Sequence, residues 1–332
     1  MDYTDWKTVL MPEYEIRKNR AQKTAFIDML KGRFGDRMRV ETCGSLVKSR
    51  NIVLGDPEKA RVIYTAHYDT CARLPFPNFI TPRNLPLFLL YQTGLALLMV
   101  VPVFGLSILA AVLTKSILAT YLALILALVG VYWLLLGGFA NPHTANDNTS
   151  GVVAVLSLAE RLAEREEFAF ILFDNEETGL LGSTGYASLH KEIRKNTPIV
   201  NFDCVSDGPH LLVLFSKAAL KLPLYKAVRA SAADLFGNAD GKRIPGESRN
   251  AETGDRVCEV CSAKGSVYPS DQAAFRVSAA VCAMNESKVI GLWMGRIHTP
   301  KDTVFDEGNL AALAELFSDA RIAEALSPAA DA

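Results

Sequence analysis

The segment from Leu85 to Gly138 constrains this chain more than any other feature. Its 54 residues carry one charge, Lys115, and 40 of them are apolar. Leu87 to Leu113 runs 27 residues without a charge, interrupted by Pro102, and Ile117 to Leu136 adds 20 more. Thr114-Lys115-Ser116 separates the two runs. A helix rises ~1.5 Å per residue and a bilayer core is ~30 Å thick, so each run is long enough to span one. Pro102 is tolerable in a membrane helix as a kink. The expectation is a helical hairpin over about 87–113 and 117–136 that crosses a membrane twice, with Tyr132 and Trp133 in an interfacial belt. The soluble alternative is an apolar pair buried in a core or a dimer interface. Core helices seldom lack a polar face over such lengths, which favours the membrane.

Without that segment 278 residues remain, about a quarter of them charged, as in an ordinary globular protein. They suffice for one large domain with a sizeable core. A formal net charge of -1 offers no footprint for nucleic acid. Six cysteines are too few for a disulfide scaffold. Cys258-Glu-Val-Cys261 has the spacing of a redox or zinc pair but lacks a second such pair, so a solvent-facing loop with incidental thiols is expected. Met1 to Lys7 holds no apolar run, so no secretory signal is expected.

Strand-like and helical runs alternate. Strands are expected near Met38–Glu41, Asn51–Leu54, Arg61–His67, Phe168–Phe173, Pro198–Cys204, Leu211–Phe215 and Lys288–Trp293. Helices are expected over 5–34, from a Ser150 cap to about Glu164, and over 179–193, 222–236 and 308–326, with a short one starting at Ser270. Residues 237–268 read as a long loop over one face. The class is α/β, a largely parallel mixed sheet flanked by helices, with the hairpin inserted.

An acid or a His stands where a strand ends or a loop begins at His67-Tyr68-Asp69, Asp147, Glu176-Glu177, Asp203 and His298. Ligands of open α/β sheets sit at the carboxyl ends of the strands, so these side chains can converge. Singly, each is more often a cap, a turn residue or a satisfied His. Two His and several carboxylates without convergent thiolates suit zinc or a similar divalent ion.

The stretches Thr65-Ala-His-Tyr-Asp-Thr70, Ala145-Asn-Asp-Asn-Thr-Ser-Gly151, Phe173-Asp-Asn-Glu-Glu-Thr-Gly-Leu-Leu-Gly-Ser183, Asn201-Phe-Asp203, Ser270-Asp-Gln-Ala-Ala-Phe275 and Ile297-His-Thr-Pro-Lys-Asp-Thr303 follow one another in order. Together they resemble the co-catalytic dizinc exopeptidases typified by bacterial leucyl aminopeptidases and aminopeptidase Y. The resemblance implies two zinc ions: His67 and Asp203 on one, Glu177 and His298 on the other, and Asp147 bridging both. It implies that Asp69 holds the far ring nitrogen of His67 and that Glu176 is the general base. Two such ions would acidify a bridging water and polarise the scissile carbonyl. Tyr268 is a candidate oxyanion donor whose spacing to Ser270-Asp271 departs from the family pattern. Gln272 stands where the family often has His, which puts the substrate rim in doubt. His143 is a nearby competitor ligand, expected to be a loop His, and His190 and His210 are expected to be structural or exposed.

The resemblance implies an aminopeptidase acting on peptides with a free N-terminus, and the apolar hairpin adds the expectation of a membrane anchor. Its catalytic domain would comprise 1–84 and 139–332, with 85–138 in the lipid bilayer. Two crossings return the chain to the side it started from, as one active site requires. Arg73 and Arg83 flank the hairpin on the domain side and favour a cytoplasmic domain. The hairpin also offers a surface for oligomerisation. The alternatives are a glutaminyl cyclase-like enzyme with one zinc and a membrane-tethered binding protein with a dead site. The latter would have lost a ligand or the base, and none is lost here.

Overall fold

The computed structural model describes residues 2–242 and 254–326. Its first helices are α1 (Tyr3–Glu13) and α2 (Arg20–Phe34). The single helical stretch expected over 5–34 is thus broken, because Asn19 starts α2 with a reciprocal cap to Gln22. The strands are β1 (Met38–Cys43), β2 (Ser49–Leu54), β3 (Val62–His67), β4 (Phe168–Phe173), β5 (Ile199–Phe202), β6 (His210–Phe215), β7 (Val257–Ser262), β8 (Ser278–Ser287) and β9 (Gly291–Trp293). The later helices are α3 (Leu85–Thr114), α4 (Ile117–Tyr132), α5 (Gly151–Arg161), α6 (Leu181–Leu189), α7 (Lys191–Asn196), α8 (Pro223–Phe236), α9 (Glu307–Ser318) and α10 (Ala320–Leu326).

Among the described residues the strands form one sheet in the order β1-β2-β4-β3-β5-β8-β6-β7, with β9 paired to β8. Its centre, β4-β3-β5-β8, is parallel, and β1, β2 and β9 join antiparallel. Every residue of β3, β4, β5 and β6 is buried. Helices cover both faces of such a sheet, so its strands are apolar on both sides and do not alternate. Strands from before and after the apolar segment interleave, β3 lying between β4 and β5.

Three expectations fail here. The loop expected over 237–268 contains β7, which pairs in parallel with β6 along its whole length; residues 243–253 of it lie outside the described residues. Cys258 is fully buried on that strand and Cys261 partly so, and neither stands on a solvent loop. The ten-residue β8 was not foreseen, because Ser278-Ala-Ala-Val-Cys-Ala-Met has little β-branched character. Its small side chains fit between β5 and β6, where packing outweighs propensity.

The apolar segment is a hairpin. α3 packs along α4, which continues to Gly137, and both are long and apolar enough to cross a membrane. In the most apolar 18-residue windows only 11% and 0% of residues are buried, so the chain's own core does not absorb them. α3 would measure ~45 Å, longer than a bilayer core. Its base lies against the rest of the chain: the Tyr91 hydroxyl donates to the Pro77 carbonyl (2.5 Å) and its ring meets Phe79. Beyond that contact, Gln92–Thr114 measures ~35 Å.

Arg17, between α1 and α2, is fully buried. Its guanidinium donates to the carbonyls of Tyr14, Tyr68 and Glu15 and to the Thr149 hydroxyl. It thereby ties the chain leaving β3 to the chain entering α5, the two segments that carry Asp69 and Asp147.

Candidate metal centre

The carboxyl ends of β3, β4 and β5 point to one place. His67 ends β3, Asp174-Asn175-Glu176-Glu177 follows β4, and Asp203 follows β5. Asp147 arrives on the turn before α5, and His298 on the loop before α9. His67 Nε2 lies 3.3 Å from Asp147 Oδ1 and 3.5 Å from Asp203 Oδ1. His298 Nε2 lies 3.0 Å from Asp147 Oδ2 and 3.3 Å from Glu177 Oε2. The two oxygens of Asp147 thus face different histidines. All five sequence-expected ligands converge, and a cavity of about 280 Å³ opens on them, lined also by Glu176 and Tyr268.

Backbone hydrogen bonds aim these groups. Asp69 accepts the Glu176 N–H through Oδ1 (3.0 Å) and the Glu177 N–H through Oδ2 (3.2 Å). This adds to the part expected of it beside His67. The contact to His67 Nδ1 comes from the Asp69 carbonyl (3.1 Å), with the carboxylate at 3.6 Å. Burial disfavours charge on Asp69, yet His67, Lys23 and the Glu176 N–H hold its carboxyl below the usual range. Asn148 accepts the Gly151 and Cys204 N–H groups. A Cβ at Gly151 would fall 2.3 Å from the Phe202 carbonyl, so only glycine lets α5 approach β5 this closely. Ser150 does not cap α5; its hydroxyl donates to the Asn146 carbonyl.

Asp302 had no expected part. Its carboxylate accepts the N–H groups of Asn146 (2.9 Å) and Asp147 (3.0 Å) and so fixes the Asp147 backbone. It lies within the Ile297–Thr303 stretch, but nothing in its spacing announces the contact. Asp302→Ala leaves two buried donors unpaired, at about 1–3 kcal/mol each. The expected result is a lower denaturation midpoint and weaker zinc binding, measured by chemical unfolding and zinc titration; unchanged values for both would exclude this support.

Other expectations resolve locally. Tyr268 reaches the cavity, but its hydroxyl donates to the Asp203 carbonyl (2.9 Å). Gln272 is buried, bonded to the Tyr268 carbonyl and Asn201, and does not form a rim. His143 faces Glu15, His190 bridges Glu41 and Glu58, and His210 lies beside Glu259. Four of the non-glycine residues with positive φ, Asn175, Leu180, Cys204 and His298, stand at or beside the site. Such backbone costs ~1–3 kcal/mol per residue and gathers where a fold holds functional groups.

The electrostatics call for a cation. Burial pushes Glu177 up to about 8 and Asp271 and Asp302 up to about 7. Burial, with the neighbouring Glu177 and Asp271, also lifts Glu176 well above the carboxylate range. Burial works against charge on His298, but Glu177 and Asp147 lift it to about 9. Glu177 Oε1 and Asp203 Oδ1 are buried without a hydrogen-bond partner among the described residues. A buried polar atom without a partner asks for one, such as an ion or a water. The ligand atoms of His67, Asp147 and Asp203 lie within 4.8 Å of one another, as do those of Cys71, Asp147, Glu177 and His298, and those of His67, Glu176 and Glu177. This donor set fits zinc.

Residues 134–320 match the model of Peptidase family M28. No curated protein sequence matches the chain. Among solved structures, it is similar to the glutaminyl cyclase of Porphyromonas gingivalis, at 17% identity and a TM-score of 0.55, covering 95% of this chain and 94% of that one. The LapA aminopeptidase of Legionella pneumophila aligns at 12% identity and a TM-score of 0.51, covering 98% and 68%. The glutaminyl cyclase of Fimbriiglobus ruber aligns at 14% identity and a TM-score of 0.50, covering 95% and 91%. At these identities the likeness concerns the fold. The family match spans more than half of the chain, including Asp147, Glu176, Glu177, Asp203 and His298, and members of this family bind zinc. The chain belongs to Peptidase family M28 and is a zinc metallopeptidase.

Proposed function

We propose that this chain is a membrane-anchored aminopeptidase that takes two zinc ions. The observation that carries the two-ion reading is Asp147, whose Oδ1 faces His67 and whose Oδ2 faces His298. His67 and Asp203 complete one position, and Glu177 and His298 the other. When bound, the ions supply Lewis acidity to the scissile carbonyl and make water a stronger acid. The remaining work falls to the chain. Glu176 takes a proton from the attacking water and hands it to the leaving amine. Asp69 divides the Glu pair by holding both backbone N–H groups, which leaves one side chain for metal and the other for the proton. Nearby carboxylates other than Glu176 receive the free substrate amine. Tyr268 shapes the cavity wall, and its bond to the Asp203 carbonyl keeps it from a free oxyanion role in this conformation.

The expected metal content of purified protein is two equivalents, counted by mass spectrometry beside a peptide-library digest that loses N-terminal residues one at a time. The similarity to glutaminyl cyclases over nearly both whole chains favours a second reading, cyclisation with one zinc. One equivalent of metal, with pyroglutamate formed from N-terminal glutamine, would establish it instead.

The bilayer reading rests on two exposed apolar helices whose polar tip is Thr114-Lys115-Ser116. Residues 1–84 and 139–332 then form one catalytic unit interrupted by its anchor. The hairpin meets that unit close to the site. Asn78 and Ile80, on the segment leading to α3, line the cavity, and the Leu74 N–H donates to the His298 carbonyl (2.8 Å). The anchor therefore holds the site near membrane-derived or apolar peptides. The expected result is full-length protein in the membrane fraction, resistant to carbonate extraction, with a C-terminus shielded from external protease in intact cells. Replacing 85–138 by a short Gly-Ser linker is expected to release the protein and to lower activity on apolar peptides relative to polar ones. Soluble full-length protein removes the anchor from this reading; a released enzyme with an unchanged peptide preference reduces the hairpin to a tether.

A further inference from the structure

The cysteines do not share one environment. Cys204, Cys258 and Cys282 belong to apolar clusters, as buried thiols ordinarily do. Cys71 is equally buried, 1% exposed, yet belongs to none of those clusters. Its sulfur lies with a carboxylate oxygen of Asp147, one of Glu177 and a ring nitrogen of His298, all within 4.8 Å of one another. One of those partners is itself incomplete: Glu177 Oε1 is buried with no hydrogen-bond partner, on a side chain nine-tenths covered.

The backbone holds the sulfur in place. The Asn141 N–H donates to the Cys71 carbonyl (3.2 Å), and the Arg73 N–H donates to the Phe139 carbonyl (2.9 Å). Ala72 bridges to Ala140 between them. The chain leaving β3 is thus zipped to the chain returning from the hairpin, at the position of Cys71. On its other side, the Thr70 hydroxyl accepts the Arg17 N–H (3.0 Å). The backbone of Cys71 is thus held beside the carboxylates, with its sulfur among them.

We propose that Cys71 is a sulfur ligand of the metal position formed by Asp147, Glu177 and His298, an inference that rests on the two-ion reading above. The two positions then differ in kind. His67, Asp147 and Asp203 supply one nitrogen and two carboxylates. Asp147, Glu177, His298 and Cys71 supply a nitrogen, two carboxylates and a sulfur. Three protein ligands leave zinc a coordination position for substrate, whereas four fill a tetrahedron. The inference assigns substrate activation to the His67 side and tight metal retention to the Cys71 side. A soft sulfur also biases that side towards zinc, cobalt or cadmium and away from magnesium or manganese.

The test uses full-length protein in detergent, loaded with zinc for X-ray absorption and with cobalt for electronic absorption. The expected zinc spectrum contains a sulfur shell at about 2.3 Å, amounting to one sulfur for each pair of ions. The expected cobalt spectrum contains a sulfur-to-metal charge-transfer band that is lost in Cys71→Ser and kept in Cys204→Ala and Cys261→Ala. The wild-type zinc spectrum needs no variant and stands even if Cys71→Ser fails to fold. Two bound equivalents with only nitrogen and oxygen neighbours overturn the sulfur ligand and leave the two-ion reading intact. A sulfur signal that survives in folded Cys71→Ser also overturns it. Protein that takes up fewer than two equivalents overturns the two-ion reading and this inference with it.

Discussion

Glu176→Gln is expected to keep its metal and to lose peptide hydrolysis by about 10²–10⁴-fold, the usual contribution of a positioned general base. The substitution preserves the shape of the side chain and removes its ability to accept a proton. The backbone is undisturbed, because the Glu176 N–H that donates to Asp69 is unchanged. Burial and the surrounding carboxylates raise Glu176 well above the ordinary range, so its carboxylate binds a proton more readily than an exposed one. The competing assignment is ligation, since Glu176 also lies within 4.8 Å of the ligand atoms of His67 and Glu177. Turnover and metal content measured on one preparation separate the two. Near-normal turnover would remove Glu176 as the base, and lost metal would make it a ligand.

Asp147→Ala is expected to have an effect of similar size by a different route. Under the proposed two-ion reading, removing any other ligand leaves one metal position whole, whereas Asp147 turns one oxygen to His67 and the other to His298. Its loss should take metal content from two equivalents to less than one and abolish activity. Thermal stability offers a readout independent of turnover. A ligand that binds only the folded state stabilises it by about 2.7 kcal/mol at a hundred times its dissociation constant. The wild-type midpoint should therefore rise with added zinc and fall with a chelator, while that of Asp147→Ala should respond to neither. Retention of two equivalents by the variant would show that Asp147 does not join the two positions.

Much of this site was legible before folding because its acids and histidines stand near strand ends, in stretches that together resemble one family. His67, Asp203 and the Glu176–Glu177 pair follow apolar runs that can only be buried strands, and parallel strands bring such ends together. The helical hairpin was legible for the same reason: local apolar composition over a sufficient length is a strong signal and needs no partner. The signal weakened where composition was ambivalent. β8 is built from small residues, and β7 was hidden in a polar stretch.

The sequence by itself determined which acids and histidines stand near strand ends, their order along the chain, the α/β class and the placing of an apolar hairpin between the first two motifs. The class and the hairpin follow from composition and short-range periodicity; the parts assigned to the acids and histidines rest on the family resemblance. Only the tertiary structure decided that Arg17 ties the two motif segments together and that Asp302 anchors Asp147. It also decided that Asp69 aims the Glu pair and that Cys71 faces the carboxylates. These are contacts between groups tens to hundreds of residues apart, or between a side chain and a backbone N–H. They depend on where the sheet brings the chain back, and no local pattern of residues encodes that return.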